Sequence, residues 1–172
     1  EEGHEGAEIL GIHFEGPFLD MQYKGAQPEP YIVEGNIEKF SHYQNAAKGN
    51  IRIITMATER DPDYGFVKWL SENGVVVSEE VLSETVIAEP VMATAYNGMT
   101  PFNHRKNGLV GAAFRLRTMY GEIICDGNHS TTAALNMFYM SKGPDYSIMV
   151  SDALMAKGTP IGSKFIFGGN EI

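Results

Sequence analysis

Three residues with chemically capable side chains stand where apolar runs of the sequence end. Glu15 follows the run EILGIHF, His129 follows GEIICDGN, and Asp152 closes SIMVSD. A carboxylate oxygen can bind Zn²⁺ or Fe²⁺ when imidazoles join it. An aspartate can transfer a proton, and an imidazole can shuttle a proton or stabilise an oxyanion. Since a buried acid is costly without a partner, we expect a group near Asp152 that uses or pairs its charge.

Each of these residues also has a purely structural interpretation. Asp152 could cap the following segment through backbone N–H groups. His129 could be a loop residue that is hydrogen-bonded to a neighbour, and a lone Glu15 could be ion-paired. Asp126, which is followed by glycine, indicates a turn. The residue types alone do not decide between these alternatives.

A second candidate site is the segment YNGMTPFNHRKNG at residues 96–108. It is rich in Gly, Pro and Asn, and it carries Asn97, His104, Arg105 and Lys106. Exposed backbone N–H groups together with a guanidinium could form a cradle for an anion. The alternative is an ordinary solvated loop.

The elements that position these residues alternate along the chain. Continuous apolar runs, typical of strands covered on both faces of a parallel sheet, are separated by patterns that predict helices over 37–48, 65–73, 79–88 and 131–142. This alternation predicts an α/β fold built from βαβ units. The runs are EILGIHF, IRIITMA, GVVVS, VMATAY, GEIICDG and YSIMVSDAL.

Two α/β architectures fit such a pattern, a doubly wound sheet and a (β/α)8 TIM barrel. The polar residues just past the strand ends favour the barrel, because those ends converge on one mouth. The first strand is also not followed by G-x-G-x-x-G. Since six strands are recognisable where a barrel needs eight, we expect a partial TIM-barrel catalytic domain over residues 1–160. The tail over residues 161–172, with KFIFGGNEI, predicts one more strand and a turn outside the barrel.

Composition narrows the range of partners. A chain of 172 residues with 43% hydrophobic content can bury one core, and a net charge of −9 argues against nucleic acid as the main partner. No apolar run reaches the ~18 residues of a membrane span, so no membrane partner is expected. Cys125 is the single cysteine, which excludes an internal disulfide and fits the cytoplasm. The chain does not begin with Met, which indicates a piece of a longer polypeptide.

Several stretches together resemble one family, the N-acetylglucosamine-6-phosphate deacetylases of the amidohydrolase superfamily. The resemblance implies a metal-dependent (β/α)8 barrel with a small β-sandwich domain, whose start would be residues 161–172, in a homodimer. It also implies hydrolysis of N-acetylglucosamine 6-phosphate, a small phosphorylated amino sugar, to glucosamine 6-phosphate and acetate. The stretches are GIHFEGPF, KGAQPEPYI, YNGMTPFNHRKNGLVGAAF, EIICDGNH, MVSDALMAKG and FGGNEI.

The resemblance assigns a role to each candidate residue. It implies that Glu15 is a ligand of a divalent metal ion, Zn or Fe. It implies that Asp152 is the catalytic aspartate that takes a proton from water and returns it to the leaving amine. His129 would contact the substrate and polarise the acetamide carbonyl. The phosphate would be bound by Asn97, the backbone of Gly98, and Arg105 reaching across the dimer interface.

The sequence departs from the family pattern at two metal-binding histidines. No Gly-His turn follows GVVVS, and Thr94 stands where the second histidine is expected. A hydroxyl is a poor ligand for zinc or iron compared with an imidazole. Two hypotheses stay open: a loop between Ser78 and Glu79 is missing from the sequence, or the chain is an inactive sugar-phosphate-binding relative that has lost its metal.

Overall fold

Among the described residues the central element is a six-stranded sheet in which every neighbouring pair of strands is parallel. The computed structural model describes residues 6–25, 27–79, 92–94, 96, 99, 101–167 and 169–171. The strand order equals the sequence order, and the carboxyl ends of all six strands therefore lie at one edge. The strands are β1 (Ile12–Glu15), β2 (Ile51–Met56), β3 (Val76–Glu79), β4 (Met92–Thr94), β5 (Tyr120–Ile124) and β6 (Ser147–Val150).

In the described part of the chain four helices accompany the sheet, and two of them begin at a side-chain cap. The Asn36 side chain accepts a hydrogen bond from the backbone N–H of Lys39 at 2.8 Å, and Thr131 accepts one from Ala134 at 3.3 Å. Each cap satisfies a backbone donor that the first helical turn leaves free. The helices are α1 (Ile37–Ala46), α2 (Gly65–Glu72), α3 (Gly108–Arg115) and α4 (Thr132–Lys142).

The alternation of strands and helices confirms the predicted α/β class. The helices predicted over 37–48, 65–73 and 131–142 are confirmed with small changes at their ends. The helix predicted over 79–88 is wrong at its first residue, because Glu79 extends β3 and pairs in register with Met56. Its remaining residues, 80–88, lie outside the described part of the chain. Helix α3 was not predicted.

The two faces of the sheet differ in polarity because side chains alternate along each strand. Phe14, Ile54 and Val77 lie on the face that packs against α1 and α2. On the opposite face the register aligns Glu15, Thr55 and Ser78. The apolar cluster consists of Phe18, Phe40, Ile51, Ile54, Met56, Phe66, Val67, Leu70, Val75 and Val77.

The outermost described strands are not covered on both faces, contrary to the expectation from their apolar composition. In β1, Ile12 is exposed, and in β6, Met149 is 79% exposed. The inner strands behave as predicted, since Ile54, Ile123 and Ile124 are each at most 3% exposed. Burial on both faces therefore requires a neighbouring strand as well as an apolar sequence.

The tail forms a small antiparallel pair of strands, β7 (Ile166–Phe167) and β8 (Asn170–Glu171), separate from the main sheet. The prediction of one strand and a turn is corrected to two short strands. Lys164 Nζ donates to Glu171 Oε1 at 2.5 Å across this pair. Among the helices described here, none has the length and apolar content needed to cross a membrane.

Candidate active site

Three of the predicted site residues, Glu15, His129 and Asp152, lie at the carboxyl edge of the sheet. Glu15 is the last residue of β1. His129 and Asp152 follow the adjacent strands β5 and β6, which the register joins through Ile124 and Val150. The structure thus places His129 and Asp152 on neighbouring loops. Glu15 lies on the same edge but on the outermost described strand at the other side.

The neighbours of Glu15 are an amide and a glycine. Gln27 Nε2 donates to the Glu15 carbonyl oxygen at 3.3 Å and lies 3.5 Å from Glu15 Oε1. A Cβ on Gly16 would come within 2.8 Å of Gln27 Oε1, so glycine permits this close approach. Lys24 Nζ donates to the Gln27 carbonyl oxygen at 3.1 Å. No ion pair joins Glu15 to another described residue, and the ion-paired alternative therefore finds no support there.

His129 is held by a tight turn that begins at Asp126. Asp126 Oδ1 accepts backbone hydrogen bonds from Asn128 at 2.8 Å and from His129 at 3.0 Å. Asp126 Oδ2 lies 2.7 Å from His129 Nδ1. Hydrogen bonds from the backbone N–H groups of His129 and Asn128, and from the His129 ring, lower the pKa of the Asp126 carboxyl to about 2. The predicted turn at Asp126 is confirmed, and the same residue also contacts the imidazole.

Asp152 has an unusual backbone conformation for a residue other than glycine. Its φ is 47°, and the side chain is exposed to solvent. The expected partner is not found among the described residues, and neither is a cap of the following segment. The expectation of a buried acid was wrong because β6 is an outermost described strand. Left-handed residues of this kind cost about 1–3 kcal/mol and cluster at functional sites.

Tyr96, which follows β4, also has a positive φ, of 73°. Its hydroxyl donates to the Ala134 carbonyl oxygen at 2.8 Å, in the first turn of α4. Burial raises the pKa of the Tyr96 hydroxyl, and its ring packs edge-on to Phe114. Tyr96 therefore ties the end of β4 to the helix that begins just after His129. In the sequence, Tyr96 stands only as the first residue of the candidate anion loop.

The predicted anion loop is described only in part, because Asn97 and Gly98 lie outside the described residues. Asn103 Oδ1 accepts backbone hydrogen bonds from Arg105 and Lys106, each at 3.0 Å. Arg105 Nε donates to His104 Nε2 at 3.1 Å. Within the described part of the chain, no carboxylate pairs with the Arg105 guanidinium. The side chain is exposed and available to a ligand.

Buried polar groups that the sequence pattern does not predict lie at the ends of β2 and β3. Thr58 Oγ1, Ser78 Oγ and both carboxyl oxygens of Glu59 have no hydrogen-bond partner among the described residues. Burial raises the pKa of the Glu59 carboxyl, and the Asp20 charge raises this pKa further. The backbone of Glu59 itself and the Arg60 charge act in the opposite direction, but burial is the largest effect. The only sequence signal was the polar stretch TER directly after IRIITMA.

The described residues do not fit a zinc or iron centre. No group of three or more His, Cys, Asp or Glu side chains among them could hold a metal ion. Glu15 has an amide as its polar neighbour, and its register partner on β2 is Thr55. A single carboxylate does not supply the donor set that these ions take in proteins.

Comparison with known proteins points to one kind of enzyme. No protein-family model matches the chain. The chain is 35% identical to the N-acetylglucosamine-6-phosphate deacetylase of Bacillus subtilis over 175 residues, which cover 97% of the chain and 44% of that protein. The enzyme of the same name from Lysinibacillus sphaericus is 39% identical, with 95% of the chain and 44% of that protein covered.

Solved structures show the same likeness. The Pasteurella multocida N-acetylglucosamine-6-phosphate deacetylase matches with a TM-score of 0.79 and 29% identity, over 95% of this chain and 44% of that one. A mutant of the Mycobacterium smegmatis enzyme, in complex with N-acetyl-D-glucosamine-6-phosphate, matches with a TM-score of 0.84 and 25% identity over 95% of this chain and 45% of that one. The chain spans less than half the length of these relatives. Nearly the whole chain is therefore homologous to one part of the N-acetylglucosamine-6-phosphate deacetylases.

Proposed function

We propose that the protein hydrolyses the acetamide of N-acetylglucosamine 6-phosphate to glucosamine 6-phosphate and acetate, in amino-sugar catabolism. One observation carries the proposal: 95–97% of the chain matches relatives named for this reaction, at 35–39% identity. The free, exposed Cys125 fits a cytoplasmic location.

The proposed architecture is a (β/α)8 barrel of which residues 1–160 form a part. The sequential strand order supports it, because a barrel adds each parallel strand beside the previous one. A doubly wound sheet instead reverses its order at a switch point. The sheet of a barrel curves until it closes on itself, and this curvature would bring Glu15 towards the loops of His129 and Asp152. Residues 161–172, with β7 and β8, would begin the small β-sandwich domain.

The roles of the site residues follow from the chemistry of amide hydrolysis. A water molecule must add to the acetamide carbon, and the nitrogen must gain a proton as its bond to that carbon breaks. Asp152 is the proposed group that takes the proton from the water and returns it to the leaving amine. His129, on the neighbouring loop, would contact the acetamide. The exposed Asp152 carboxylate and its strained backbone support this assignment.

A divalent metal ion, Zn²⁺ or Fe²⁺, is the cofactor that the family resemblance implies, with Glu15 as one ligand. The described residues do not complete a site for it, and the steps above therefore use only side chains of this chain.

The phosphate group is assigned to Asn97, the backbone of Gly98, and Arg105. The exposed Arg105 guanidinium, with no carboxylate partner among the described residues, supports this assignment. Its planar donors suit a phosphate. A homodimer, in which Arg105 reaches the neighbouring site, is part of the same proposal.

Acetate release from N-acetylglucosamine 6-phosphate, measured with added Zn²⁺ or Fe²⁺, tests the function. We expect acetate release, and its response to a chelator measures whether a metal ion takes part despite the incomplete donor set of the described residues. Tight binding of the sugar phosphate with no hydrolysis under any metal condition would instead identify an inactive binding protein. The names of the relatives support the enzyme.

A further inference from the structure

The contact between Asp126 and His129 determines how the imidazole can act. Asp126 Oδ1 is held by two backbone N–H groups, those of Asn128 and His129. Asp126 Oδ2 then meets His129 Nδ1 at 2.7 Å. The carboxylate is therefore fixed by the turn at one oxygen and contacts the ring with the other.

The chemistry of this contact places the proton on the ring. A carboxylate is ionised at neutral pH and can only accept hydrogen bonds. The 2.7 Å contact therefore requires a proton on His129 Nδ1. The second ring nitrogen, Nε2, has no hydrogen-bond partner among the described residues. In a neutral ring Nε2 accepts a hydrogen bond, and in a protonated ring it donates one. Polarising a carbonyl through Nε2 thus needs the protonated ring.

We propose that Asp126 is a positioning residue for His129, which fixes the imidazole with its proton on Nδ1 and leaves Nε2 as the atom that contacts the substrate. The assignment rests on the proposed deacetylase function for its kinetic consequence. The ring geometry itself does not depend on that function.

The substitution Asp126→Asn separates this role from the turn. The amide oxygen of asparagine can still accept the two backbone hydrogen bonds, and Asn is a usual residue for such turns. The amide NH₂ would replace Oδ2, and because it only donates, it would favour an unprotonated Nδ1. The proton of a neutral His129 should then move to Nε2.

The readout is the tautomer of His129 in ¹⁵N-histidine-labelled protein, observed by long-range ¹H–¹⁵N NMR and assigned with a His129→Gln variant. We expect a protonated Nδ1 in the wild type and a protonated Nε2 in Asp126→Asn, with an unchanged melting temperature. We also expect kcat to fall by about 10-fold, because a neutral ring that donates from Nε2 is a weaker donor to the acetamide carbonyl than the protonated ring that the Asp126 carboxylate stabilises.

Asp20→Asn is the matched control. Asp20 Oδ1 accepts the backbone N–H of Gln22 at 2.8 Å in a similar turn, and no histidine among the described residues is hydrogen-bonded to it. This change should leave the His129 tautomer as in the wild type. A protonated Nε2 in the wild type, or the same tautomer in wild type and Asp126→Asn, would overturn the assignment. A reversed tautomer with unchanged kcat would show that Asp126 fixes the ring proton of His129 but would overturn the assigned contact between Nε2 and the substrate. If no variant deacetylates the sugar phosphate, the proposed function fails, while the NMR result still decides the ring geometry.

Discussion

Lys142, in the last turn of α4, donates a 2.7 Å hydrogen bond to the carbonyl oxygen of Leu116, just beyond the end of α3. A second bond, also 2.7 Å, goes to the Ala113 carbonyl oxygen. The residue is only 5% exposed. The Lys142 ammonium group, at the end of α4, therefore satisfies carbonyl groups at the end of α3 and joins the two helices.

Replacing Lys142 with methionine should destabilise the protein. Methionine keeps an unbranched apolar side chain but leaves two carbonyls without their donor. Each unsatisfied buried group costs about 1–3 kcal/mol. We expect a loss in that range or above in the free energy of unfolding, measured by urea denaturation. Lys68→Met, at an exposed position of α2, is the control and should change stability by less than about 0.5 kcal/mol. Equal effects of the two changes would contradict the inferred role.

The same lysine should make stability depend on pH in the alkaline range. Burial lowers the pKa of Lys142 from 10.5 to about 8. Between these values the unfolded chain binds more protons than the folded one, so the Lys142 contribution to stability increases as pH rises through the window. The stability difference between wild type and Lys142→Met should therefore widen from neutral pH upwards. Urea denaturation at a series of pH values measures it, and a constant or narrowing difference would refute the prediction.

Gly121 in β5 should not tolerate a methyl group. A Cβ there would lie 2.6 Å from Phe138 Cε2 and 2.7 Å from Phe138 Cζ, and Phe138 is only 1% exposed. We expect Gly121→Ala to destabilise the protein by about 1–3 kcal/mol through overpacking. In contrast, Gly65→Ala at the start of α2 meets nothing within 4 Å and should be neutral or slightly stabilising. Thermal unfolding of both variants checks the pair of predictions.

Asp152→Asn should reduce the proposed deacetylation without disturbing the backbone. Asparagine tolerates a positive φ about as well as aspartate, so the 47° conformation should persist. Loss of the general base should lower kcat by about 10²- to 10⁴-fold. Asp145→Asn, the same change at an exposed position of a short 3₁₀ turn, is the control. Wild-type kcat in the Asp152 variant would exclude the assigned role.

Arg105→Ala should impair recognition of the phosphate more than the chemical step. A hydrogen bond to a charged group contributes about 1.5–3 kcal/mol, which corresponds to a rise in KM of about 10- to 100-fold. The preference for the phosphorylated sugar over N-acetylglucosamine should fall by a similar factor. Arg117→Ala, an exposed arginine outside the loop, is the control. Substrate preference that is unaffected by Arg105→Ala would place the phosphate elsewhere.

Most of the strands could be predicted because apolar runs bounded by turn residues are a local signal. Helix α3 could not, since Gly108 and Gly111 weaken its helical propensity. It forms because burial of Leu109, Val110 and Ala113 compensates for that weakness. Such burial depends on distant parts of the chain and is not visible in a short window.

The candidate site shows the same difference between features with a local sequence signal and features that depend on distant residues. The turn at Asp126 was predicted from its own sequence, since the residues that satisfy it lie within three positions. The buried carboxyl of Glu59 could not be predicted in this way. Its sequence neighbour Arg60 pairs instead with Asp20 and Glu34. Pairing choices between residues far apart in sequence determine which charges remain unpaired.

The exposed Ile12 and Met149 on the outermost described strands have a consequence for handling the polypeptide. An edge strand with unpaired backbone groups and exposed apolar side chains can pair with a strand of another molecule. A preparation of these 172 residues alone should self-associate as its concentration increases, through pairing at β1 and β6.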